Sequence, residues 1–84
     1  MEQTFTIQNP SGMHARPATN LVKKANTYPC EIKIIKGEEE IDAKNLISIL
    51  GLGLKQGETI TVITKGEQET EALAAISEII KTVE

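Results

Sequence analysis

The apolar residues Ala72, Leu73, Ile76, Ile79, Ile80 and Val83, set opposite Glu71, Glu78 and Lys81, repeat at the spacing of one helical face. A helix of this kind, over roughly residues 68–82, gains little stability until its stripe lies on another apolar surface. The chain has 84 residues and no break in composition, which leaves room for one domain, residues 1–84, with a single modest core. The covering surface must therefore come from the same short chain. Only 2% of the residues are aromatic, so Ile, Leu, Val and Ala have to build it.

Four segments have strand character. In residues 3–7, Phe5 and Ile7 alternate with Thr4 and Thr6. In residues 31–36, Ile32 and Ile34 face one side and Glu31 and Lys33 the other, and a turn at Lys36-Gly37-Glu38 leads into a short return strand at 39–41. The glutamates Glu38, Glu39 and Glu40 read as a solvated edge that discourages further pairing. The fourth strand covers 59–64, with Ile60 and Val62 inward. Between residues 15 and 26, Ala18, Leu21, Val22 and Ala25 recur at helical spacing, with Pro17 in the first turn. Asn45 is a favourable N-cap for a short apolar helix over 46–50 that runs out at Gly51 and Gly53. The order is β-α-β-β-α-β-α, which predicts an α+β fold. Its architecture is an open-faced sandwich, a four-stranded antiparallel sheet with three helices on one face.

A net charge of −3 and only two aromatic side chains, Phe5 and Tyr28, speak against a nucleic-acid partner. No apolar run approaches the roughly 20 residues that span a bilayer, and the first residues resemble no signal peptide, so a cytoplasmic protein without a membrane partner is expected. Cys30 is the single cysteine, which rules out an internal disulfide and leaves too few ligands for a cysteine-based metal site. Cys30 reads as a small apolar residue at a strand edge. No cofactor is expected.

The chemistry concentrates in Gly12-Met13-His14-Ala15-Arg16-Pro17-Ala18. With a helix starting at Ala15, His14 stands at or beside the cap, where the positive end of the helix dipole disfavours the imidazolium and keeps a ring nitrogen free to attack. A phosphoryl group on that nitrogen would be favoured by the same dipole and by the unpaired N–H groups of Ala15 and Arg16. The Arg16 guanidinium can hydrogen-bond phosphate oxygens, Ser11 can add a hydroxyl, and Gly12 permits the tight turn before the histidine. A lone His-x-Arg is usually only an exposed cap beside a solvated charge. Here histidine, arginine and proline coincide with a strand-to-helix junction, and no apolar face claims the histidine.

Other candidates are weaker. Gly51-Leu52-Gly53 follows a helix rather than a strand and lacks the third glycine of a phosphate-binding loop, so it reads as a helix exit. A hydrolase with His14 as base lacks a second catalytic group. Leu46, Ile47 and Leu50 lie on a helix that is apolar on nearly every side; core burial and an apolar docking patch near His14 remain balanced for them, whereas Ile49 suits the core.

Ser11-Gly12-Met13-His14-Ala15-Arg16-Pro17-Ala18 resembles the active-centre signature of the HPr family, the histidine-containing phosphocarriers of the bacterial phosphoenolpyruvate-dependent sugar phosphotransferase system. The stretch from Asp42-Ala43-Lys44-Asn45 through Leu54 resembles the family's second motif, and the likeness covers essentially the whole chain. The resemblance implies a carrier, modified in each cycle rather than a stand-alone catalyst, whose His14 takes a phosphoryl group on Nδ1 from phosphorylated enzyme I. The group then passes to a sugar-specific enzyme II A component for sugar uptake, with Arg16 near the phosphate. It implies a docking surface of Met13, Arg16, Asn20, Leu46, Ile47 and Leu50, with Lys23 or Lys24 meeting an acidic partner, and a monomeric protein. Many Gram-positive relatives carry a kinase-regulated serine where this chain has Asn45, which offers no hydroxyl. An HPr-like regulatory module, whose His14 phosphorylation signals to a transcription factor or enzyme, is the alternative.

Overall fold

A computed structural model of the chain describes residues 1–8 and 15–81. The elements run β1 (Glu2–Thr6), α1 (Ala15–Ala25), β2 (Glu31–Lys36), β3 (Glu39–Asp42), α2 (Leu46–Gly51), β4 (Thr59–Lys65) and α3 (Glu69–Lys81). The strands form one four-stranded sheet in the order β1-β4-β2-β3, every neighbouring pair antiparallel. This is the α+β order expected from the sequence. The first strand ends one residue earlier than its alternation suggests, because Ile7 leaves the ladder and its N–H donates to the Glu58 carbonyl at 2.9 Å.

Register decides which face is covered. Phe5 is paired with Ile60, Ile34 with Val62 and Ile32 with Thr64, and all six side chains are buried beneath the helices. Burying an isoleucine such as Ile34 in this way contributes about 2–3 kcal/mol relative to leaving it in water. Thr64 is tolerated in that layer because its hydroxyl donates to the Glu69 carbonyl at 2.9 Å. The opposite face carries Thr4, Thr61, Lys33, Ile35 and Ile63, none of them buried. There Lys33 bridges Glu31 at 3.5 Å and Glu40 at 3.7 Å. The glutamates of the β2–β3 turn and of β3 are exposed along a sheet edge, as their charge required.

The helices complete the core with Ala18, Leu21 and Ala25 of α1, Ile49 of α2, and Ala72, Leu73, Ile76 and Ile80 of α3; Ile79 packs against it half-buried, and Val83 lies outside the described residues. Cys30 is buried at the entry to β2, as its apolar reading implied. Gly37 turns the β2–β3 hairpin at φ +60, and Gly53 leaves α2 at φ +60 with its N–H on the Leu50 carbonyl, so Gly51-Leu52-Gly53 is a helix exit.

Candidate functional site

Helix α1 begins at Ala15, directly after His14. Pro17 lies in its first turn, where the missing N–H has no intrahelical partner to lose, and the residue is buried. The first turn contains no acidic residue, whereas the first turn of α3 contains Glu69 and Glu71. A carboxylate at a helix start neutralises its partial positive charge. Helix α1 has none, and instead carries Arg16, whose cation its own dipole disfavours. Within its own first turn α1 thus adds a cation to the partial positive charge of the helix start, an arrangement suited to an anion.

Arg16, Asn20, Lys23 and Lys24 are all exposed, and their spacing puts them on one face of α1. Ala18, Leu21 and Ala25 occupy the buried face. The two lysines stand in the last turn, where they also complement the negative helix end. Ser11, Met13 and His14 lie outside the described residues.

Helix α2 packs beside α1. Its N-cap is Asn45, whose Oδ1 accepts the Ser48 N–H at 3.1 Å, as the sequence suggested. The three ambiguous apolar residues separate. Leu46 is half-buried against the core, Ile47 is 81% exposed and Leu50 is 40% exposed, while Ile49 is fully buried. Ile47 and Leu50, three positions apart, form one outward apolar ridge. A side chain as large as isoleucine left this open in so short a helix gains nothing for the fold, which favours a docking role.

Two links orient the pair of helices. Asn26, just past α1, donates through Nδ2 to the Val22 carbonyl at 2.9 Å and to the Lys44 carbonyl at 3.3 Å. Lys44 Nζ returns a bond to the Tyr28 carbonyl at 2.8 Å. The end of α1 is thereby stitched to the residues that lead into α2. No local pattern announces the bonds to the Lys44 and Tyr28 carbonyls, which join residues 18 and 16 positions apart. Among the described residues no group of three His, Cys, Asp or Glu side chains could hold a metal ion, and no helix is long and apolar enough to cross a membrane.

The arrangement, a helix N-terminus with an arginine beside an apolar ridge, suits a group transferred between docked proteins. Comparison with known proteins agrees. Residues 1–82 match the family model described as the PTS HPr component phosphorylation site. The phosphocarrier protein HPr of Lysinibacillus sphaericus is 37% identical over 78 residues, covering 93% of this chain and 89% of the relative. That of Buchnera aphidicola is 41% identical over 78 residues, covering 93% and 92%. The crystal structure of an HPr from Thermoanaerobacter tengcongensis superposes with a TM-score of 0.92 at 33% identity, covering 96% of this chain and 91% of that one. The chain belongs to the HPr family and is a phosphocarrier of the phosphotransferase system.

Proposed function

We propose that His14 is the residue that carries the phosphoryl group, receiving it from phosphorylated enzyme I and passing it to the A component of an enzyme II. The observation that carries this reading is the start of α1 at Ala15, with Arg16 and no carboxylate in its first turn. In the first step the Nδ1 lone pair of neutral His14 attacks phosphorus. The bond from phosphorus to the donor group breaks as a new N–P bond forms at His14; the leaving donor keeps the electron pair and takes up a proton, while His14 gives up the proton on Nε2. In the second step the acceptor's nucleophile displaces His14 in turn. The N–H groups of the first turn of α1 and the Arg16 guanidinium meet the charge of the bound group, with Ser11 adding a hydroxyl.

Transfer in both directions requires that no state be held too tightly, so partner contacts should be small and brief. Met13, Arg16, Asn20, Leu46, Ile47 and Leu50 form the proposed docking surface, with Lys23 and Lys24 beside it to steer an acidic partner. Asn45 keeps the cap of α2 but cannot be phosphorylated, so a serine kinase has no target at that position. Family membership favours a carrier over a purely regulatory module.

The test incubates the protein with phosphoenolpyruvate and enzyme I. Acid-labile, base-stable phosphate is expected on the intact chain and none on His14→Ala, whereas Arg16→Ala should slow labelling by about tenfold to hundredfold. Labelling that survives His14→Ala overturns the reading.

A further inference from the structure

Lys36 closes β2 at the hairpin, a position that suggests only a solvated turn residue. Its ammonium is instead spent on two distant acceptors. Nζ donates to the Leu52 carbonyl at 2.9 Å and lies 2.9 Å from Glu58 Oε2. Leu52 is the C-cap of α2, with its N–H on the Ile49 carbonyl and the Gly53 N–H on the Leu50 carbonyl, so Lys36 places a cation at the negative end of the helix that bears Ile47 and Leu50.

Glu58 continues the connection. Its other oxygen, Oε1, accepts the Lys55 N–H at 2.7 Å, which fixes the loop between α2 and β4. The backbone of that loop is joined to the end of β1 by a reciprocal pair, Gly57 N–H to the Ile7 carbonyl and Ile7 N–H to the Glu58 carbonyl, both at 2.9 Å. Gln56 Nε2 adds a bond to the Gln8 carbonyl at 3.2 Å. Ile7 and Gln8 lead directly into the segment that contains His14. An unbroken line of hydrogen bonds therefore runs from the exit of α2, through Lys36 and Glu58, to the strand end from which the histidine segment departs.

We infer that Lys36 and Glu58 are positioning residues for phosphotransfer, holding the apolar ridge of α2 in fixed register with the strand end that precedes His14. The inference rests on the reading of His14 as the carrier. A partner must engage the ridge and reach the histidine in one encounter, so loosening either against the other weakens productive docking without altering the transfer step. Lys36 is half-buried between its acceptors, and the pair's other hydrogen bonds run to backbone groups of Leu52 and Lys55. The pair holds lateral geometry, with little effect on global stability expected from a partly exposed ion pair.

The experiment compares the parent protein, Lys36→Met, Lys36→Arg and Lys33→Met as substrates of phosphorylated enzyme I, with amide hydrogen exchange measured on each. Lys33 is the control, since its ion pairs lie on the open face of the sheet. Lys36→Met should raise KM by about threefold to fivefold with kcat unchanged, and speed exchange at Ile7 and Gly57. Lys36→Arg, which still offers donors to both acceptors, should retain most of the parent behaviour, and Lys33→Met should match the parent. An unchanged KM in Lys36→Met, a fall confined to kcat, or a KM rise shared by Lys33→Met overturns the inference while leaving the carrier reading intact. A parent protein that accepts no phosphate overturns the reading of His14 and the inference with it.

Discussion

Asn45 and Gln68 each stand directly before a helix, and their backbones differ sharply. Asn45 has φ −113 and ψ 110, the extended geometry of an N-cap, and its side chain caps α2. Gln68 has φ +64, a left-handed conformation that crowds the Cβ of any residue but glycine. Its carbonyl still accepts the Ala72 N–H at 2.9 Å, so α3 starts well at the expense of local strain. Gln68→Gly should therefore stabilise the protein by about 1 kcal/mol, read as a higher urea midpoint at unchanged m-value. Glu58 has a different signature. The hydrogen bond from Lys36, then that from the Lys55 N–H, holds its carboxyl below the usual carboxylate range. A depressed carboxyl stabilises the fold above its ordinary pKa and loses that contribution as pH falls through the lower, folded value. Glu58→Gln should flatten the decline of the urea midpoint between about pH 5 and about pH 2, and Lys36→Met should flatten it in the same direction, since both remove the same pair.

At the scale of elements, α2 divides its apolar residues between two tasks. Ile49→Ala should lower stability by about 2–5 kcal/mol, measured by denaturant unfolding, because the fully buried side chain leaves a cavity. Ile47→Ser should change stability by less than about 0.5 kcal/mol and yet raise KM for the phosphoryl donor, because this side chain stands in solvent. That division was not legible in the sequence, where Leu46-Ile47-Ser48-Ile49-Leu50 is too short and too uniformly apolar for periodicity to choose a face. The strands were legible because alternation in β2 and β4 names the buried face residue by residue, and α3 because its stripe spans more than three turns. The start of α1 was legible from Pro17 and the turn residues before it. Lys36 and Glu58 were not, since an ion pair between a hairpin and a distant loop leaves no local spacing to read.

For the whole molecule, the sheet order sets how these parts come together. The first strand lies at one edge, and its partner in the ladder is β4, the last strand in sequence. The inner pair β2 and β4 then joins the early half of the chain to the late half. Contacts of such sequence separation form late in folding, after the entropy of closing a long loop has been met. The reciprocal bonds between Ile7 and the loop at Gly57 and Glu58 belong to the same closure. During synthesis the histidine segment emerges early, while the residues that anchor its strand end follow about fifty residues later, several seconds at ordinary elongation rates. A chain halted before Gly57 would lack both loop partners of Ile7. The topology thus ties the anchoring of the strand end at Ile7 to the arrival of Gly57 and Glu58, about fifty residues downstream.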